Sequence, residues 1–374
     1  MKIKDDAVTW FVRNVLLPRW EVIDKPGFVL APVVERGSSA LTRDVFIPET
    51  LLVNVENAFK KKFGGAGEAA LYSSGKKFGY SYASLSGFTQ WNGSNQKDFL
   101  NFAYFLTRYV CAVYAANVSH SIDLNKKTFE ITLDDYIICS KNGVGRVMGD
   151  GGIAGIWAFM VQDAMVEGVS LACQGRGDSE CMILCAPSKV LGKKLRFSEK
   201  QLSAPKIDSA YLQANQPRTC TYAKKSLKSL TDSGFFRYSE GRLVRKGERF
   251  FYAEVSLPYF LESELEKLHG GESLLFEAAF ESGKKIASAE KGGGRGFLTD
   301  FLSALGYGDI RAETGVKPVI TAKYYPFTSF SNKSRFTLFK GLCSGIISVF
   351  SRKRIEFEEV KKDFSQGYLA LRCM

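Results

Sequence analysis

Two cysteines close together in the chain offer the clearest chemistry in this sequence. Cys173 and Cys181 are separated by seven residues, and the Gly-Asp pair between them is typical of a turn. A short loop of this kind can bring two thiolates together, which supplies two ligands of a tetrahedral zinc site. Cys139 or Cys185 could complete such a site. The alternative is that these cysteines are small apolar residues in a partly buried strand and loop.

Little else in the chain points to catalysis. Only two histidines occur, and neither has evident partners for activating a nucleophile. Neighbouring acids such as Asp134 and Asp135, or Glu358 and Glu359, would point to opposite faces of a strand, so they are poor candidates for paired acid–base work. The two SGKK tetrapeptides lack the glycine that a phosphate-binding P-loop requires, and no cofactor fingerprint is present. The sequence therefore predicts a protein that is not an enzyme.

Positive charge is concentrated in one segment. The chain of 374 residues has a net charge of +12, and residues 189–249 contain 15 Lys or Arg against 5 Asp or Glu. Such charge attracts a phosphate backbone, and nearby aromatic side chains can stack on unpaired bases. No motif for sequence-specific DNA recognition is present, so RNA or the ribosome is the expected partner, and a solubilising linker is the alternative. The candidate nucleic-acid-binding residues are Lys193, Lys194, Arg196, Arg218, Lys224, Lys225, Lys228, Arg237, Arg242, Arg245 and Lys246.

The segments on either side of this basic stretch repeat one another. Both contain SGKK within an apolar helix pattern, starting at Ser74 and Ser282, and these lysines are expected on the polar face of the helix. In each copy a hairpin-like stretch comes first, and β-rich sequence, a helix rich in small residues and a final strand follow. A duplication explains this shared order. The prediction is an α/β (α+β) fold with two tandem domains, 1–186 and 231–374, joined by a basic linker at 187–230.

The sequence resembles the 4-vinyl-reductase domain family. The likeness rests on GGIAGIWAFMVQDAMVEGVSLACQGRGDSECMIL at 151–184, and it extends over 20–186 and, in a degenerate second copy, over 235–373. The resemblance implies an α/β fold akin to haem–nitric-oxide-binding domains and to subunits of the TRAPP trafficking complex. It also implies a role in binding small molecules or in regulation. A reductase-type activity is suggested only by the family name.

The resemblance also bears on the cysteines. Cys173 and Cys181 match the positions that hold zinc in the phenol-responsive transcription regulators of this family. Those regulators place a glutamate three residues before the first cysteine, where this chain has Ser170. They also have an upstream cysteine, which is missing from the matching residues 144–152. The second copy lacks the cysteine pair, so a zinc site is expected only in the first.

These observations predict a non-catalytic binding or regulatory protein whose basic connector binds RNA or the ribosome. The alternative is a sensor or scaffold for a small hydrophobic ligand. Its pocket wall would be an aromatic helix face that could equally be ordinary core. No apolar run is long enough to span a membrane, and the N-terminus resembles no signal peptide, so a cytoplasmic protein with free thiols is expected. The sequence leaves open whether the protein forms a homodimer. The aromatic residues of that helix are Phe99, Phe102, Tyr104, Phe105 and Tyr109.

Overall fold

A computed structural model gives a mixed α/β fold with eleven α-helices and three antiparallel sheets in the part of the chain that it describes. None of the helices in this part is long and apolar enough to cross a membrane. The predicted fold class is confirmed at this level. The structure describes residues 2–11, 23–32, 41–139, 145–203, 215–290, 294–313, 318–326, 334–363 and 367–374.

The elements alternate between short groups of strands and groups of helices. The helices are α1 (Lys2–Phe11), α2 (Glu49–Phe63), α3 (Gly65–Leu85), α4 (Gln96–Val113), α5 (Val147–Met160), α6 (Ser188–Leu191), α7 (Leu227–Asp232), α8 (Ser256–Leu265), α9 (Gly271–Ser288), α10 (Gly294–Ala304) and α11 (Thr337–Ser351). The strands are β1 (Ile23–Lys25), β2 (Phe28–Pro32), β3 (Leu41–Pro48), β4 (Asn117–Asp123), β5 (Thr128–Asp134), β6 (Val166–Ala172), β7 (Cys181–Pro187), β8 (Arg237–Ser239), β9 (Arg242–Arg245), β10 (Glu248–Glu254), β11 (Asp309–Glu313), β12 (Val319–Lys323), β13 (Phe357–Asp363) and β14 (Tyr368–Cys373).

A six-stranded sheet joins the two halves of the chain. Its order is β1-β2-β3-β10-β9-β8, so each half contributes three strands and β3 pairs with β10 at the centre. This central pairing is antiparallel, with Asp44 opposite Glu254 and Ile47 opposite Phe251. Because β3 and β10 have neighbours on both sides, most of their residues are buried. The two halves therefore share main-chain hydrogen bonds and one continuous hydrophobic core.

Each half adds a four-stranded antiparallel sheet, and the two sheets have the same strand order. The order is β4-β5-β7-β6 in the first half and β11-β12-β14-β13 in the second. In both sheets a helix, α5 or α11, separates the first two strands from the last two. Three helices also precede the sheet in each half, α2 to α4 and α8 to α10. The boundaries of the predicted domains and linker stay a prediction.

The repeated SGKK sequence marks a close crossing of two helices in each half. A Cβ atom on Gly75 of α3 would lie 2.0 Å from the carbonyl oxygen of Met148 on α5. A Cβ atom on Gly283 of α9 would lie 2.3 Å from the carbonyl oxygen of Leu342 on α11. Only glycine fits at such distances. In both copies the preceding serine is buried and donates to the carbonyl oxygen four residues earlier.

The lysines of the two SGKK copies have different surroundings. The expectation of a polar helix face is wrong for Lys76, whose fully buried ammonium group lies 2.8 Å from the Glu167 carboxylate. This ammonium group also donates to two main-chain carbonyl oxygens, which together satisfy its three donors. The matching Lys284 in the second copy is 44% exposed and pairs with Glu281. The first copy thus has a buried ion pair where the second has a surface one.

The described parts of the basic connector pack against both halves. Glu199 pairs with Lys77 of α3 at 3.2 Å. Three consecutive main-chain N–H groups, beginning at Thr221, donate to the Asp309 carboxylate of the second half. These contacts fix the connector, so its described residues do not form a free cationic tether between separate bodies. Residues 204–214 of the predicted linker lie outside the described residues.

Candidate metal centre and ligand cavity

Three cysteines meet beside the turn between β6 and β7. The Sγ atom of Cys139 lies 3.0 Å from that of Cys173 and 2.9 Å from that of Cys181, and all three residues are buried. Hydrogen bonds with Cys139 and Cys181 hold the pKa of the Cys173 thiol well below its usual value. Within the described ranges, this is the one group of three or more His, Cys, Asp or Glu side chains close enough together to hold a metal ion.

Local hydrogen bonds explain why the cysteines converge. The N–H of Cys173 donates to the Asp178 carboxylate at 2.6 Å, which closes the turn that leads to β7. The Gln174 side chain of this turn accepts from the N–H of Asp135 and donates to the carboxylate of Asp134, both at 2.9 Å. These bonds fasten the turn to the end of β5, and the third cysteine follows β5 by a few residues.

A buried arginine accompanies the cysteine cluster. Arg146 is 1% exposed, and its guanidinium carbon lies 4.6 Å from the ring centre of Tyr136. Its Nε atom is 3.7 Å from the Asp150 carboxylate, beyond hydrogen-bond distance. None of its guanidinium nitrogens has a hydrogen-bond partner among the described residues. Burial disfavours its charge, but the carboxylate of Asp150 and then thiolates at Cys139 and Cys181 outweigh this and raise the pKa of Arg146. The charge of Arg146 in turn compensates any thiolate formed there.

The structure shows which of the two candidate third ligands, Cys139 or Cys185, lies beside the cysteine pair. It brings Cys139 to the pair, whereas Cys185 follows Cys181 by four residues on the same extended strand and lies about 13 Å along it. Ser170, which stands where the family regulators have a glutamate, donates to the Asp150 carboxylate at 3.0 Å. A carboxylate from α5 therefore lies beside the serine, although it is not part of the cysteine group.

An apolar cavity of about 100 Å³ lies next to the second half of the central sheet. Its walls are formed by α3, α4, α5 and β5 from the first half of the chain, and by β10 and α8 from the second. Eight aromatic side chains line it, and no Lys, Arg or His does. The Tyr114 hydroxyl donates to the main-chain oxygen of Tyr252 at 2.7 Å, which links the two sides of the cavity.

The helix with the predicted aromatic wall does contribute to this cavity, but through other residues. Ala103, Leu106 and Val110 of α4 face the cavity. Phe99 instead packs on Trp157 in the core, with ring centres 5.7 Å apart. None of the five aromatic residues lines the cavity, and Phe99 and Tyr109 are buried as in ordinary core packing, while small and aliphatic residues of the helix border the space.

One acidic side chain lines the cavity. Glu254, at the end of β10, is fully buried, and one carboxylate oxygen accepts from the N–H of Ser256 at 2.9 Å. Its Oε1 atom has no hydrogen-bond partner in the described structure. Its cross-strand neighbour Asp44 is also buried and accepts from the Tyr252 hydroxyl at 2.6 Å. Burial raises the pKa of Glu254 to about 8 and that of Asp44 to about 7.

The matching space in the second half is filled. About 10 Å³ remains there, between side chains that include Tyr307, Tyr325 and Phe339. Ile47 lines this space and lies two residues before α2, just as Glu254 lies two residues before α8. The second half thus has an aliphatic side chain where the open cavity of the first half has an acid.

Two of the predicted nucleic-acid-binding residues are buried. Arg242 lies 2.6 Å from Asp135, and Arg245 pairs with Glu290. Their partners belong to other parts of the fold. These arginines therefore fasten β9 to its neighbours and are not available to a phosphate backbone. Arg249, on β10, strengthens the same contact through Glu49 and Asp135.

The remaining predicted RNA-binding residues are divided between paired and open positions. Arg218 lies over the ring of Tyr324 with 5.2 Å between the guanidinium carbon and the ring centre. RNA binding stays a prediction of the sequence. Four of these residues pair with acids, namely Arg196 with Glu68, Lys225 with Asp300, Lys228 with Asp232 and Lys246 with Glu290. The exposed others are Lys193, Lys194, Lys224 and Arg237.

Comparison with known proteins gives only weak structural likeness. No protein-family model and no curated protein matches the chain. Among solved structures, the crystal structure of the phenol-responsive sensory domain of the transcription activator PoxR with phenol is similar, with a TM-score of 0.33 and 14% sequence identity. The match covers 43% of this chain and 85% of that one. The resemblance to the 4-vinyl-reductase family accordingly stays a prediction.

Proposed function

We propose that this protein binds a small, largely apolar molecule in the cavity between its first half and the segment formed by β10 and α8. The observation that carries the proposal is the cavity itself, about 100 Å³ in volume and lined almost entirely by apolar and aromatic groups. An engineered cavity of about 150 Å³ with such a lining stays free of water and binds benzene. One ring or a short alkyl chain is therefore the size of ligand that fits.

The architecture supports binding in this cavity. We infer that the chain consists of two tandem α/β units related by duplication, because both halves repeat the same order of strands and helices. Core packing normally closes such spaces, as it does at the matching place in the second unit. A cavity that stays open at only one of the two matching places indicates that it is kept open for a ligand. Its walls come from both units, so a ligand there contacts both.

Calorimetric titration with toluene and with pentane tests this function. Wild-type protein is expected to bind at least one of them, since transfer of the apolar surface from water is favourable. Ala103→Leu places three more carbons in the cavity and is expected to weaken binding at least tenfold. Ala69→Leu on the exposed face of α3 is the matched control and should bind as wild type does. Absence of binding by wild type, or equal binding by the two variants, would refute the proposal.

We also propose that Cys139, Cys173 and Cys181 hold a zinc ion. Three buried cysteine sulfurs are a donor set that zinc prefers, and the nearby Arg146, with its unpartnered guanidinium nitrogens, compensates the charge of the thiolates. With Zn–S distances of about 2.3 Å, tetrahedral geometry needs sulfurs about 3.8 Å apart, so each would move outward by less than 1 Å. Bound zinc would stabilise the link between β5 and the β6–β7 turn.

Elemental analysis of anaerobically purified protein tests the zinc site. One zinc per chain is expected in wild type and loss of zinc in Cys173→Ser. Cys185→Ser is the matched control, because this cysteine is equally buried on β7 but lies outside the cluster. Zinc-free wild type, or equal zinc in the two variants, would contradict the assignment.

A further inference from the structure

The cavity contains one feature that its size alone does not explain, the carboxyl group of Glu254. We propose that the ligand is a small apolar amine, bound as an ammonium ion that donates an N–H to the Oε1 atom of Glu254. This inference rests on the proposed ligand binding and adds the chemical class of the ligand.

The first support is an acceptor without a donor. Glu254 lines the cavity, and its Oε1 atom is buried without a partner among the described residues, while the other oxygen is bound by the N–H of Ser256. A buried acceptor left unpaired is costly, so such atoms in folded proteins normally have a partner. The cavity is the open space beside this residue, and a ligand whose ammonium group reaches the carboxyl group supplies the donor that Oε1 lacks.

The second support is the local balance of charge. Glu254 and Asp44 are neighbouring buried acids, and no basic side chain lines the cavity. The closest arginine in sequence, Arg43, donates to three main-chain carbonyl oxygens at 2.8–3.1 Å on the other side of the strand. The other titratable side chains in the cavity wall are tyrosines, Tyr82, Tyr114, Tyr136 and Tyr252. Burial favours the protonated forms of both acids, and a ligand cation supplies the positive charge that lets Glu254 ionise.

The third support is the aromatic lining. Eight aromatic rings surround the space, and the faces of such rings attract an ammonium group when water is excluded. They also bury the hydrocarbon part of the ligand. The filled space of the second unit has no acid in its wall and presents Ile47 instead of Glu254. The acid thus lines the open cavity and has no counterpart at the filled one.

Two isosteric series of ligands test the inference by calorimetry at pH 8.5, where the Glu254 carboxyl group of the free protein is largely ionised and the amines are still protonated. The first is benzylamine, benzyl alcohol and toluene, and the second, for a narrower space, is butylamine, butanol and pentane. The amine is expected to bind at least tenfold more tightly than the alcohol or hydrocarbon of its series, because a charge-assisted hydrogen bond replaces an unpaired acceptor. Glu254→Gln is expected to remove this preference and to change hydrocarbon binding less than threefold.

The control is Glu130→Gln. Glu130 lies on β5 between two residues that line the cavity, so its side chain is on the opposite face of the strand. This variant should keep the amine preference. Wild type that binds the hydrocarbon as tightly as the amine, or Glu254→Gln that retains the preference, would overturn the inference while ligand binding stands. Wild type that binds no member of either series would overturn both.

Discussion

Neutralising Glu254 should change how stability depends on pH. At low pH this carboxyl group is protonated in both the folded and the unfolded chain. As pH rises above about 4.5, the unfolded chain ionises first, because burial raises the folded-state pKa to about 8. A difference from 4.5 to about 8, at about 1.4 kcal/mol per pKa unit, amounts to about 5 kcal/mol. Wild-type protein therefore loses stability between these pH values, and its loss ends once the folded form also ionises.

Urea unfolding of wild type and Glu254→Gln, measured at intervals from pH 5 to pH 9, tests this reasoning. The buried Trp157 in the cavity wall reports unfolding by fluorescence. The free energy of unfolding of the variant minus that of wild type should increase by several kcal/mol across this range. Asp44 titrates in both proteins and its charge also raises the pKa of Glu254, so the difference reports Glu254 together with its interaction with Asp44. The exposed Glu358→Gln is the control and should follow the wild-type curve. Parallel curves for wild type and Glu254→Gln would refute the argument.

Two further predictions concern charged side chains elsewhere. Lys76→Met should lower the free energy of unfolding by about 3–5 kcal/mol, since it leaves Glu167 buried without its cation, whereas the matching Lys284→Met on the surface should cost less than about 1 kcal/mol. Equal losses in chemical denaturation would contradict this. If RNA binds, a gel-shift assay should show affinity that falls steeply with salt and falls further on charge reversal of the exposed lysines. Affinity that changes neither with salt nor on charge reversal, or no detectable binding, would contradict that prediction. These lysines are Lys193, Lys194 and Lys224.

The repeated parts of the fold were the most predictable from sequence. SGKK and the small-residue helices recur because helices that cross at main-chain distance require glycine at the same places in both halves. The C-terminal end of α4 was less predictable from the sequence. The apolar pattern continues past Val113, where the helix ends, towards β4, which begins at Asn117. Local pattern does not distinguish a helix end from a strand that begins within the same apolar run.

The contacts between distant segments could not be read from local sequence. The positive charge of 189–249 suggested a surface for RNA, yet Arg249 pairs with Glu49, about 200 positions away in the chain. Net charge along a segment does not reveal acids that the fold brings from elsewhere. Glu254 was missed for the same reason, because its role depends on the pairing of β3 with β10. A signal was present, since FFYAEVSL places one acid in an otherwise apolar strand.

If the two halves descend from one duplicated unit, as proposed above, the pairing of β3 with β10 has a consequence for how the chain arose. Two identical hairpins that pair edge to edge in antiparallel fashion are related by a two-fold axis, which is the symmetry of the commonest homodimers. A half-length ancestor would have had to associate with itself, because its β3 edge alone would offer unpaired main-chain groups to other proteins. Fusion of the two copies makes that association permanent. It also frees each copy from identity with the other, so one interior can close around its own side chains while the other stays open.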